Sequence, residues 1–191
     1  MNRSAPCCYV IKGTSGSGKS TLAQRLSTLL ELPVVDLDLL FHGPSGNVPS
    51  GDAFRATVAS VLDSMPCGWI VDGNHDGYLG DLVIGRAEMI IWLDLPLGLK
   101  FFRLLRRSLH RIVRRVDLGN GFRETWRSQF ASRDSIFADL VSKHRRHRQL
   151  WPSRLVNDPR LVRLRSDREI EQWIGVVRRS VGSLSGYGGS P

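Results

Sequence analysis

Gly13-Thr14-Ser15-Gly16-Ser17-Gly18-Lys19-Ser20 decides how the rest of the chain is read. It satisfies G-x-x-x-x-G-K-[ST] in full. An apolar run, Cys8-Tyr9-Val10-Ile11, precedes it, and a helix-period run, Leu22, Leu26, Leu29 and Leu30, follows. Strand, glycine loop and helix in that order make a phosphate cradle. The glycines free the backbone so that successive N–H groups can turn toward phosphate oxygens, and the helix start favours an anion. Gly13, Thr14, Ser15, Gly16, Ser17, Gly18, Lys19, Ser20 and the following Thr21 are therefore the expected nucleotide-binding residues. Lys19 is placed to reach the β- and γ-phosphates, and the Ser20 hydroxyl to ligate Mg²⁺.

Outward from that loop, apolar strands alternate with helices. Strands are expected at about 7–12, 33–36, 69–71, 89–93 and 161–164. Helices are expected at about 19–30, 53–64 (capped by Asp52), 97–116, 123–150 and 167–179. The helix after the fourth strand is expected to turn Phe101, Leu105, Leu109, Ile112 and Val116 to the core. This order predicts a three-layer α/β fold, a five-stranded parallel sheet with helices on both faces. One domain is read over 1–181, with an acceptor-binding segment near 39–65, a short Arg-rich lid near 108–130 hinged at Gly119-Asn120-Gly121, and a disordered tail from 182 to 191.

Ligands of such sheets bind beyond the carboxyl ends of the strands. Asp36 and Asp38, Asp72 and Asp94 all fall there. Asp72 is the expected second Mg²⁺ residue, and Asp94 reads better as a structural turn. Asp36 and Asp38, two apart, would point the same way on an extended backbone. Either can take a proton from an acceptor hydroxyl or organise magnesium waters, and either can instead cap the next helix. His42 reads as a loop residue or an acceptor contact, and His144 and His147 as part of a solvated basic face.

The 191 residues carry a net charge of +9. The balance is −4 over residues 1–99 and +13 over 100–191, which predicts a polyanionic partner, a nucleotide or a nucleic acid. No apolar run has the length of a membrane helix and no leader pattern stands at Met1–Pro6, so a cytoplasmic protein is expected. Cys7, Cys8 and Cys67 lack metal-ligand spacing and read as small buried hydrophobes, the first two on opposite strand faces.

Taken with the loop, Val71-Asp72-Gly73-Asn74, Ile91-Trp92-Leu93-Asp94-Leu95-Pro96 and the arginines that follow resemble small bacterial adenylate-kinase-related P-loop kinases, the DNA topology modulation protein-like family. The resemblance implies ATP and Mg²⁺ as cofactors, Arg103 on the donor adenine and Arg107 on phosphate. It also implies Arg165-Ser166-Asp167 at the adenine border, while Arg123 and Arg127, after the glycine turn, read as residues of a basic flap closing over the phosphates. Asn74-His75-Asp76 stands where adenylate kinases carry F-P-R, and His75 stands where close relatives usually carry Tyr. Arg55 is the one basic residue between Leu39 and Met65. The Asp36/Asp38 pair is instead similar to the D-x-D of shikimate, gluconate and other hydroxyl-phosphorylating kinases. Lys19, Asp36, Asp38, Arg107 and Arg123 are thus the expected catalytic set, in a phosphotransferase moving the γ-phosphate of ATP to a nucleoside, nucleotide or hydroxylated metabolite. The alternative is an ATP-binding regulator associated with nucleic acid.

Overall fold

Doublets of branched apolar residues build the sheet. Val10-Ile11, Ile70-Val71 and Ile90-Ile91 are fully buried at both positions. Neighbours on a strand face opposite sides, so both faces must be covered. A computed structural model, which describes residues 6–42, 49–114, 151, 155 and 157–185 with side chains to 106 and 182 in the last two long helices, has this architecture. The strands are β1 (Cys8–Lys12), β2 (Val34–Asp36), β3 (Trp69–Asp72), β4 (Met89–Leu93) and β5 (Leu161–Leu164). They pair in the order β2-β3-β1-β4-β5, all parallel. It is the five-stranded, three-layer α/β fold expected.

Around them run α1 (Lys19–Leu30), α2 (Leu37–His42), α3 (Gly51–Asp63), α4 (Asp76–Leu79), α5 (Leu82–Arg86), α6 (Leu97–Arg114) and α7 (Asp167–Ser185). Leu22, Ala23 and Leu26 bury one face of α1 over β1, β2 and β3. Helix α7 packs on β5 and α1, where Arg25 grips Glu171 with two bonds of 2.5 and 2.7 Å. Helix α3 turns Phe54, Val58 and Leu62 inward. Burying a side chain such as Phe54 fully is worth about 1.5–3 kcal/mol.

Three local expectations need correction. Ser50, not Asp52, caps α3, with Oγ accepting from Ala53 N at 3.3 Å. Helix α7 continues to Ser185, past Arg179 and into the segment read as tail. Leu104, not Phe101, is the buried apolar residue among the described side chains of α6, joined by the partly buried Leu97 and Leu105, while Phe101 and Phe102 are 42% and 62% exposed. The lid from residue 115, the expected helix at 123–150 with Arg123, and His144 and His147 lie outside the described residues.

The chain packs as two units. One holds Gly18–Leu93 with the chain up to Gly13 and from Pro159, and so the whole sheet. The other holds Thr14–Ser17 and the chain from Asp94 to Asp158. Among the described residues no helix is long and apolar enough to cross a membrane.

Candidate active site

Within the larger unit, β1 ends at Lys12, Gly13 follows, and α1 begins at Lys19 behind Gly18, whose φ is 91°. Strand β3 lies beside β1 in register, with Ile11 opposite Asp72. The register brings Asp72 to the start of α1, near the Ser20 hydroxyl and the Lys19 charge. Asp72 is buried, and among the described residues its Oδ1 has no hydrogen-bond partner. Burial pushes this carboxyl above its usual range, against the nearby Ser20 hydroxyl and Lys19 charge, which pull it down. A buried acid oxygen left without a partner, beside a hydroxyl and an ammonium group, suits a hard cation with oxygen ligands.

Asn74 fastens the next turn to the phosphate loop. Its Nδ2 donates to Gly13 O at 2.9 Å, and its Oδ1 accepts from Gly13 N at 3.3 Å. Lys12, buried at the strand end, donates to Asn74 O at 3.0 Å and to Asp76 Oδ1 at 2.5 Å. Burial lowers the Lys12 pKa and the Asp76 charge opposes that. Gly73 makes the turn possible. Its φ is 139°, and a Cβ there would lie 2.8 Å from Leu37 Cβ.

The two acidic residues after β2 divide. Asp36 Oδ1 accepts from Asp38 N at 2.8 Å and Leu39 N at 3.2 Å, so Asp36 caps α2. The chain turns helical at Leu37, so the shared direction expected of an extended pair does not arise. Asp38 is 73% exposed and lies 2.7 Å from His75 Nε2. The His75 ring packs on Phe41 at 4.8 Å and Phe54 at 5.4 Å between centroids. Tyr78 joins this cluster 5.0 Å from Phe41. His42 is exposed at the end of α2, edge-on to Phe41. Arg55 is spent locally, donating to Leu79 O at 3.0 Å.

In the smaller unit, Thr14–Ser17 packs on α6. Lys100, buried, donates to Thr14 Oγ1 at 3.0 Å, and Arg103 Nη1 lies 3.4 Å from Ser17 O. At Gly16 (φ 75°) a Cβ would lie 2.7 Å from Lys100 O and 2.9 Å from Leu104 Cγ. Asp94 is buried in this unit. Arg107 falls on α6 with its side chain outside the described ones. The Arg165-Ser166-Asp167 segment forms a reciprocal cap on α7. Ser166 Oγ accepts from Glu169 N at 3.2 Å, and Arg165 N donates to Glu169 Oε2 at 2.8 Å.

Sequence reasoning missed the Lys12–Asp76 pair and Lys100. A lysine closing an apolar strand was the available sign of the first, while no signal marked Lys100. The cysteines also differ from expectation. Cys67 is exposed, and Cys7 and Cys8, half-buried, bring their sulfurs to 3.9 Å because Cys7 lies just before β1 begins. Burial and a hydrogen bond to Glu88 push the Cys7 thiol up to about 12.

The fold has known counterparts. The structure of a gluconokinase from Sinorhizobium meliloti 1021 superposes with a TM-score of 0.54, at 14% identity over 95% of each chain. That of a shikimate kinase from Acinetobacter baumannii in complex with shikimate gives 0.56, at 13% identity over 97% of each chain. The chain has the fold of small P-loop kinases. In sequence, a shikimate kinase from Microcystis aeruginosa (strain NIES-843 / IAM M-2473) is 29% identical over 123 residues. That match covers 56% of this chain and 62% of the relative, so the chain spans about three-fifths of the curated protein it matches. No family model matches the chain. The similarity runs to shikimate- and gluconate-kinase-type P-loop kinases, and the family named from the motifs is not among these matches.

Proposed function

We propose that the protein is an ATP-dependent phosphotransferase that moves the γ-phosphate of ATP to a hydroxyl of a small-molecule acceptor. The observation that carries this reading is Asp72, a buried carboxylate whose Oδ1 has no partner among the described residues, near Ser20 and Lys19 at the start of α1. Ser20 and Asp72 would hold magnesium, which when bound neutralises charge on the β- and γ-phosphate oxygens. Lys19 adds a positive charge to the same phosphates, and the loop amides orient them. Of the two acidic candidates, Asp38 is left to accept the proton, since Asp36 is occupied as a helix cap. The acceptor oxygen then bonds to Pγ, the bond from Pγ to the bridging oxygen breaks, and ADP leaves with that electron pair. Arg103, Arg107 and Arg123 remain proposed partners of the adenine and the phosphates. The acceptor class stays a nucleoside, a nucleotide or a hydroxylated metabolite, and the relatives' names supply sugar acids and shikimate as first candidates.

The deciding experiment is a panel of nucleosides, nucleotides, sugar acids and polyols assayed for acceptor-dependent ADP release with ATP and Mg²⁺. Release that stays at the hydrolysis background with every acceptor, together with tight, salt-dependent DNA binding, would favour the regulator instead.

A further inference from the structure

The kinase reading names Asp38 as the proton acceptor. It does not explain why a carboxylate that is 73% exposed on a short helix should hold one direction. We propose that His75 is a positioning residue for the phosphoryl acceptor step, fixing the Asp38 carboxylate toward the acceptor hydroxyl. The proposal rests on the kinase reading and deepens it.

Four observations converge. The first is the contact itself, 2.7 Å from His75 Nε2 to Asp38 Oδ1. An ionised carboxylate only accepts, so Nε2 carries the proton, and Asp38 keeps its second oxygen for another donor. The second is the difference in exposure. The imidazole side chain is 16% exposed and lies against Phe41 and Phe54, while the carboxylate faces solvent. His75 thus stands behind Asp38 and acts through it. The third is the backbone. His75 adopts φ 20°, ψ 28°, one of two non-glycine residues with positive φ among those described. Such a conformation costs about 1–3 kcal/mol and persists where the surroundings over-determine it. The fourth supplies those surroundings. Asn74 is clasped to Gly13 and Asp76 is tied to Lys12, so the residues on either side of His75 are anchored to the strand that feeds the phosphate loop. The ring is aimed by its neighbours, and the aim transfers to Asp38.

The test uses the full chain with the best acceptor from the panel. His75→Phe keeps an aromatic ring against Phe41 and Phe54 and removes the donor. It should lower acceptor-dependent kcat about 10- to 100-fold, the loss of one hydrogen bond to a charged group, and leave the Kd for ATP within about twofold. His75→Gln, which carries an amide donor at a similar reach, should recover most of the rate. Asp38→Asn and the Asp38→Asn/His75→Phe double variant should have equal kcat within about twofold, because the histidine has no role without its partner. Wild-type kcat in His75→Phe, no recovery in His75→Gln, or additive losses in the double variant would overturn the proposal. If the wild-type protein phosphorylates nothing, the kinase reading fails by itself. The pairing is then read by NMR. The Nε2–H signal of His75 should move on Asp38→Asn, and an unchanged imidazole spectrum would overturn the pairing too.

Discussion

On the proposed phosphate side, the groups come from one unbroken stretch, with Gly18, Lys19 and Ser20 consecutive and Asp72 brought in by the neighbouring strand. On the proposed acceptor side, Asp38 comes from α2, Phe54 from α3, and His75 from the turn between β3 and α4, where Tyr78 follows. The first side is built on backbone conformation and a buried charge. The second is built on ring packing and one exposed carboxylate. A backbone-built site is insensitive to most side-chain changes and fails sharply at a few. A side-chain-built site degrades by steps, and its specificity can change residue by residue.

The strongest way to break this contrast is Lys19→Ala. It should cut acceptor-dependent ADP release by about 10³-fold, as loss of a phosphate-directed charge does elsewhere. A rate within tenfold of wild type would mean that the loop does not hold the transferred phosphate.

Asp72→Asn comes next, with turnover down about 10²-fold and stability moving the other way. Burial raises this carboxyl's pKa, so the folded chain binds the proton more readily than the unfolded chain. The stability tied to this group therefore falls as pH rises from the ordinary carboxylate value through the raised one. Removing the charge should raise stability at neutral pH by about 0.5–2 kcal/mol, a typical gain for one stabilising substitution. Thermal melts of both proteins at pH 7 and at pH 4 check this, with the gain shrinking in acid. A lower Tm for Asp72→Asn at pH 7 would contradict the desolvation argument.

Asn74→Ala tests the tie between the two sides. Losing both bonds to Gly13 should cost about 1–3 kcal/mol in a denaturant titration and raise the KM for ATP several-fold. An effect confined to the acceptor KM would place Asn74 with the acceptor groups instead. Arg55→Ala should do least. Its guanidinium closes α4 through Leu79 O, so about 1 kcal/mol of stability should go with the acceptor KM unchanged within twofold. A tenfold rise in that KM would make Arg55 an acceptor ligand and erase the purely aromatic and carboxylate character given to this side.

The same contrast governs what could be read in the chain. The three central strands were legible because fully buried doublets such as Val10-Ile11 and Ile90-Ile91 leave no polar alternation to mistake, whereas β2 and β5 were read from short apolar runs between helices. The glycine loop was legible because its chemistry is written in consecutive residues. Asp36 and Asp38 could not be told apart, since the outcome turned on where β2 gives way to α2. The phase of α6 was misread because Phe101 is as apolar as Leu104, and only packing of Gly16 against Lys100 and Leu104 sets which one is buried. Lys12 with Asp76, and Asn74 with Gly13, meet across about sixty residues of sequence, through a β1–β3 register that no local pattern contains.

Strand β2 is three residues long and stands at the sheet border, paired among the described residues with β3, whereas β1 has a neighbour on each side. Amide hydrogens of Val10 and Ile11 should thus exchange with deuterium only through global unfolding, while those of β2 exchange through small local openings. A border strand of this kind can be shortened, lengthened or resequenced without disturbing the centre. Drift of sequence along that border then costs the protein little of its folding free energy.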